Sequence, residues 1–168
     1  TRYVTEVKDS SAITRLIPFE FSVTQSYVLE LGNLYIRFYK DNGQIVEADK
    51  TISAITKANP AVVTATSHGY ADGDHVWINN VVGMTEVNGR RYTVANKTTN
   101  TFQLSGIDST NYTTYGSNGD AQKVFEITTP YTAAQVFDLR FAQSADVMYI
   151  VHPAHEPAKL SRTGHTTW

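Results

Sequence analysis

Tight-turn dipeptides divide this chain into pieces too short for most folds. Asn42-Gly43, Asp72-Gly73 and Asn88-Gly89 each punctuate it, and the last two each lead into a run of alternating apolar and polar residues. Such pairs supply the positive φ that a two-residue hairpin needs, and strict alternation buries one face of the strand that follows. A chain cut this way is built to meander as short antiparallel strands, with little room for long helices. The punctuation is densest in HGYADGDHVWINNVVGMTEVNGRRYTVANKTTNTFQL, His68–Leu104. That stretch reads as the centre of a small β-module inserted into another β-domain whose halves flank it.

In the first flank, Ile17, Phe19 and Phe21 share one face of a strand over residues 14–21, and Pro18 marks it as an edge strand. Tyr27, Leu29 and Leu31 alternate with Val28 and Glu30. A Gly32-Asn33 turn then reverses the chain, and Leu34, Ile36 and Phe38 alternate with Tyr35, Arg37 and Tyr39 before Asn42-Gly43 turns into a strand at Gln44–Ala48. In the second flank, Val124–Thr128 is a strand stopped by Pro130. Thr132 and Gln135 form a capping-box pair, with Tyr131 and Val136 as a hydrophobic staple, so a short helix is expected from Ala133 to about Arg140. Val147–Val151 is apolar on both faces and reads as the central strand of the flanking domain, covered on each side. Ala158–Arg162 reads as a further strand.

Between the flanks, Ala54–Lys57 and Ala61–Thr66 bracket the turn pair Asn59-Pro60. Val76 with Ile78, Tyr92 with Val94, and Phe102 with Leu104 point inward, with His75 and Trp77 on the other face. The polar tract Asp108–Asp120 reads as a long exposed loop. The expectation is therefore a mainly β chain: an antiparallel host domain with one short helix at residues 1–52 and 124–168, interrupted at 53–123 by a small β-barrel or sandwich. The chain also reads as a fragment, since it opens at Thr1 without Met, is strand-like by Tyr3-Val4, and stops at Trp168 as Thr166-Thr167-Trp168 begins another strand.

Composition narrows the function classes. Fourteen basic residues against sixteen acidic ones lack the imbalance that a nucleic-acid footprint requires, and Arg90-Arg91 beside Tyr92 is one small basic spot. The sequence holds no Cys, hence neither thiolate nucleophile nor disulfide. Zinc needs three or four converging ligands; His152 and His155 are interrupted by Pro153, and the expectation is a loop whose histidines cap strand ends. His68-Gly69 reads as a turn. Asp72 and Asp74 lack the ligand ladder of a calcium loop. No Gly-x-Ser-x-Gly elbow occurs, and no pair of carboxylates is singled out for glycoside hydrolysis. Catalytic, cofactor-binding and metal residues are accordingly expected to be absent. Outward-facing Tyr35, Tyr39, Trp77, Tyr112 and Tyr115 leave a receptor- or glycan-binding module as the alternative to a purely structural role.

The flanks TRLIPFEFSVTQSYVLELGNLYIRFYKDNGQI and FAQSADVMYIVHPAHEPAKLSRTGHTTW resemble the tail nozzle, or tail tubular protein B-like, family of short-tailed phages and prophages. The stretch ITKANPAVVTATSHGYADGDHVWINNVVGMTEVNGRRYTVANKTTNTFQLSGID resembles the first catalytic cysteine half-domain module of ubiquitin-activating enzymes. The first resemblance implies a virion structural protein, assembled in the bacterial host cytoplasm into a ring homo-oligomer below the portal and adaptor. Its partners would be other tail subunits, adaptor and tail fibre proteins, and DNA passing without specific binding. The second implies a shape only, because a chain without Cys cannot form a thioester.

Overall fold

The computed structural model describes residues 4–22 and 25–168, with the side chains of Phe21, Ser22 and Gln25 outside the description; Tyr3 and the face assigned to Phe21 therefore lie beyond it. Two units divide the chain, one from the N-terminal residues to Ile45 together with Phe125–Trp168, the other Val46–Val124. The second begins earlier than the composition change near Ser53 suggests, because Val46 already pairs antiparallel with Val124.

The first unit opens with an antiparallel meander of β1 (Arg15–Ser22), β2 (Gln25–Gly32) and β3 (Tyr35–Lys40), and the two-residue β4 (Gly43–Gln44) turns back on β3. Pro18 sits in the outer strand, where a missing N–H is tolerated. Ile17, Phe19, Tyr27, Leu29, Leu31, Ile36 and Phe38 are buried, as alternation requires. Both turns are displaced by one residue from their glycines. The first is Asn33-Leu34, with Leu34 at φ 66° and its N–H donating to the Tyr131 carbonyl at 2.8 Å. Gly32 is needed for another reason: a Cβ there would collide with the Tyr35 ring. The second turn is Asp41-Asn42, whose φ of 52° and 63° suit a two-residue hairpin. The strand expected over Gln44–Ala48 shrinks to β4, followed by the bridge at Val46.

The second unit contains β5 (Lys50–Thr51), β6 (Ala54–Ile55), β7 (Val62–Thr64), β8 (His75–Asn79), β9 (Arg90–Ala95), β10 (Thr101–Leu104) and β11 (Asp120–Lys123), in the antiparallel order β5-β11-β8-β9-β10-β7-β6. The ladder changes partner within β9, whose Arg90–Thr93 part pairs with β8 and whose Val94–Ala95 part pairs with β10. The expected barrel is not closed by hydrogen bonds. Its terminal strands β5 and β6 are instead successive in the chain, joined through Ile52-Ser53, where the Ile52 N–H donates to Gly119 and the Ser53 N–H to Thr64. Val63, Val76, Ile78, Tyr92, Val94, Phe102, Leu104 and Ala121 fill the interior. The tract after Asp108 is not simply an exposed loop. Ser109 is fully buried, Tyr112 and Tyr115 pack on the core, and the Tyr115 hydroxyl donates to Ile52 and Asn118 carbonyls.

The chain returns to the first unit as β12 (Glu126–Thr128), which lies beside β3 and completes the sheet order β1-β2-β3-β12. The expected helix is only a 3-10 turn, Ala133–Gln135. The Thr132 N–H does donate to Gln135 Oε1 at 3.0 Å, as the capping signal implied. Propagation stops because Arg140 is already paired with Val151 in the next sheet. Arg15 Nη1 donates to the Val136, Phe137 and Leu139 carbonyls, satisfying groups that a longer helix would have bonded internally. That next sheet is β13 (Arg140–Ser144), β14 (Val147–His152) and β15 (His155–Ser161) in order. β14 is central, but to this three-stranded sheet and with cover on one face: Met148 and Ile150 are buried, whereas Tyr149 and Val151 are exposed. A half-covered antiparallel sheet meets both demands. Gln143 bonds both the N–H and the C=O of Glu20, blunting the outer edge of β1. Thr166-Thr167-Trp168 forms no strand; a turn closed by the Thr163 and Gly164 N–H groups on the Thr167 carbonyl stacks Trp168 on Phe38, with ring centroids 4.3 Å apart.

Candidate functional site

On the other face of the five-stranded sheet the alternation places charge. Glu30 of β2 lies directly opposite Arg37 of β3, which lies directly opposite Glu126 of β12. Facing side chains on adjacent strands are within contact range, so the three form a ladder of alternating sign. Glu30 is 0% and Arg37 1% exposed. Arg37 Nε donates to Glu126 Oε2 at 2.9 Å. The Tyr35 hydroxyl donates to Glu30 Oε1 at 2.5 Å, and the Tyr39 hydroxyl donates to Glu30 Oε2 while accepting from Gln44 Nε2 at 3.0 Å. Lys8 completes the set: its N–H donates to Glu30 Oε1 at 2.9 Å and its Nζ to Glu126 Oε1 at 2.6 Å.

The buried Glu30 and Arg37 are thus neutralised within a network whose other two charges, Lys8 and Glu126, lie partly exposed at its rim, the arrangement that makes burial of charge tolerable. Burial works to raise the Glu126 carboxyl, but its bonds to Lys8 and the Arg37 charge outweigh that and hold it below the usual range. Burial first, and then the bond to Glu30, push the Tyr35 and Tyr39 phenols well above the ordinary phenol range. Both phenols therefore stay protonated donors. What this face holds is an ammonium and a backbone N–H, both from the chain's own Lys8, with Glu30 and Arg37 sealed from solvent.

The residues singled out in the sequence go elsewhere. His68 is buried in a turn where Gly69 has φ 74°; its Nδ1 accepts the Tyr70 N–H at 2.9 Å and its Nε2 lies 3.2 Å from the Thr101 carbonyl. One tautomer satisfies both contacts, and His68 is a core residue. His152 and His155 do converge, paired across the Pro153-Ala154 turn with ring centroids 5.1 Å apart. Their tautomers argue against chelation. His152 Nδ1 accepts the Ala154 N–H, which places its proton on Nε2. His155 Nε2 donates to Gln135 Oε1, the atom that already accepts the Thr132 N–H. One free lone pair, His155 Nδ1, remains for a metal. His165 Nδ1 lies 2.7 Å from the Tyr27 hydroxyl.

Asp72 and Asp74 cap their own turn and its neighbour, accepting the Lys97 and Ala71 N–H groups. Tyr92 is buried, its hydroxyl bonded to the Val87 carbonyl and its phenol pushed up to about 12 by burial. Of the five aromatics expected to face outward, Tyr35 is buried, and Tyr39, Trp77, Tyr112 and Tyr115 are half-buried. Trp77 lies between Arg91 and Gln122 on neighbouring strands. The charged ladder itself was missed. Glu30 and Arg37 are symmetric about the first hairpin turn and could have been paired from it, but Glu126 and Lys8 are distant in sequence.

Residues 58–124 match the family model of the ubiquitin-activating enzyme E1 FCCH domain, and this match lies inside the Val46–Val124 unit. The chain is also 36% identical over 76 residues to the ubiquitin-like modifier-activating enzyme 1 of Oryctolagus cuniculus, an alignment covering 44% of this chain and 7% of that protein. The chain therefore spans a small part of the relative's length, and the likeness concerns an E1-like module within a mainly β chain.

Proposed function

We propose that this chain is a structural component of a phage or prophage tail, a nozzle-like conduit protein that acts by assembly and docking. The observation that supports it best is the pair of nozzle-like segments quoted above. They belong to one folded unit and are separated by an E1-like module whose own ends, Val46 and Val124, are paired. A module whose two ends are paired with each other can be inserted into a host unit without parting the host's own strands. In this reading the protein resides in the virion as a ring of copies, contacting other tail subunits and adaptor or fibre proteins, while DNA passes without base recognition.

The relative's name refers to activation of a ubiquitin-like modifier. Thioester chemistry does not carry over, because this sequence offers no Cys to form the bond. What carries over is a β-scaffold. The glycan- or receptor-binding alternative is weakened by the engagement of Tyr35, Tyr39 and Tyr115 in internal hydrogen bonds. The test is immunogold labelling of purified particles with an antibody against Val46–Val124. Gold on the tail is the expected result, and particles free of both gold and this polypeptide would refute the assignment.

A further inference from the structure

Within the chain's own N-terminal segment, residues 4–14, Lys8 enters the charged face of the first unit as a ligand would. Its N–H reaches Glu30, its Nζ reaches Glu126, and the ammonium lies 4.8 Å above the Tyr35 ring centroid. With Lys8 in place the two carboxylates meet two cations. With Lys8 withdrawn, Glu30 and Glu126 would face Arg37 alone, leaving an anionic surface edged by the Tyr35 and Tyr39 hydroxyls. The segment contains no strand, and its Val4 and Ile13 side chains are 38% and 58% exposed. A groove of about 470 Å³ runs beside it, lined by Val4, Val7, Leu16 and Val28 among others. The segment is thus anchored at a charged centre and packed incompletely around it, which is the build of a bound peptide more than of a core element.

We propose that the β2–β3–β12 face is a docking site for a lysine-bearing segment, occupied in cis by residues 4–14 and able to accept the same segment from a second copy of this chain. Charge complementarity selects the occupant: the site requires a cation that can reach Glu126 while the adjoining backbone N–H reaches Glu30. This inference stands apart from the tail assignment and survives if that assignment fails.

The experiment uses the full chain carrying Lys8→Ala, to loosen the cis segment, and a fluorescein-labelled peptide of residues 4–14 followed by anisotropy. Saturable binding is expected, weakened at least about tenfold when the peptide carries Lys8→Ala or when Glu126→Gln is added to the chain. Absence of binding by a Lys8→Ala chain with unchanged circular dichroism would overturn the proposal, as would binding indifferent to Glu126→Gln. Should Lys8→Ala fail to fold, hydrogen exchange on the unaltered chain decides. Amides of residues 4–14 are expected to exchange at least about tenfold faster than those of β2, and equal protection would make the segment a fixed part of the fold.

Discussion

The two units solve the same problem, covering a twisted antiparallel sheet, by different means. In Val46–Val124 the interior is apolar, and its buried polar side chains are Ser109 and His68, each bonded to backbone. In the flanking unit one sheet face is apolar, while the other buries Glu30 and Arg37 within a four-charge network. The first design fails by loss of packing or of a single hydrogen bond. The second fails when one charge loses its partner, and it responds to pH. Each unit carries one of the two tryptophans, Trp77 and Trp168, so Trp77→Phe and Trp168→Phe backgrounds allow the two to be followed separately.

The largest expected effect is on the charged side. Arg37→Ala removes the buried cation between Glu30 and Glu126, leaving the partly exposed Lys8 to serve both, and should destabilise the flanking unit by roughly 3–5 kcal/mol in urea denaturation followed by Trp168. A loss confined to the Trp77 signal would break the comparison. In the apolar unit, Ser109→Ala removes the acceptor of the Ala58 N–H and the donor to the Thr56 and Ala58 carbonyls. About 1–3 kcal/mol should disappear from the Trp77 transition, leaving that of Trp168 in place.

Acid sharpens the contrast further. Glu126 has its carboxyl lowered from an ordinary value of 4.5, so its contribution is complete above that pH and is lost as pH falls through the lowered folded value. Glu86 and Asp108 of the other unit are also lowered, by hydrogen bonds from Thr113 and Thr110, but neither carboxylate is tied to a buried opposite charge, and Asp108 is exposed where solvent screens the effect. The Trp168 transition should therefore weaken first on acidification; simultaneous loss of both signals would argue against an electrostatic origin. The smallest effect is expected from deleting Val46–Val124 and joining Ile45 to Phe125 through a short linker. The Phe125 N–H already donates to the Ile45 carbonyl at 2.9 Å, and the Trp168 midpoint should hardly move. Global unfolding of this deletion would mean that the flanks do not form a unit of their own.

Much of the strand content was legible because period-two alternation is a local signal. Val76 with Ile78, Tyr92 with Val94, and Phe102 with Leu104 are all buried as their spacing predicts. Turn registers were less legible. Asp and Asn accept positive φ as glycine does, and Leu34 is held in that region by the distant Tyr131 carbonyl. The truncated helix reflects competition: local capping at Thr132 starts it, and non-local pairing of Arg140 with Val151 ends it. The apolar faces of β14 suggested two covering layers where one suffices, since tolerance of exposed Tyr149 and Val151 cannot be read from hydropathy. The charged face was obscured for the same reason in reverse. Glu30 and Arg37 look solvent-facing in an alternating strand, and the Lys8 segment that bonds Glu30 carries no periodic signal.

The Ile52-Ser53 junction has a consequence for solubility. The β5 and β6 strands would each offer a row of unpaired backbone groups if they ended in loops on opposite sides of the sheet. Because one follows the other directly, with Ile52 bonded to Gly119 and Ser53 to Thr64, these two margins become a single corner. A neighbouring chain has little straight backbone there on which to add a strand. A module sealed in this way can be held at high local concentration with reduced risk of edge-to-edge fibre growth.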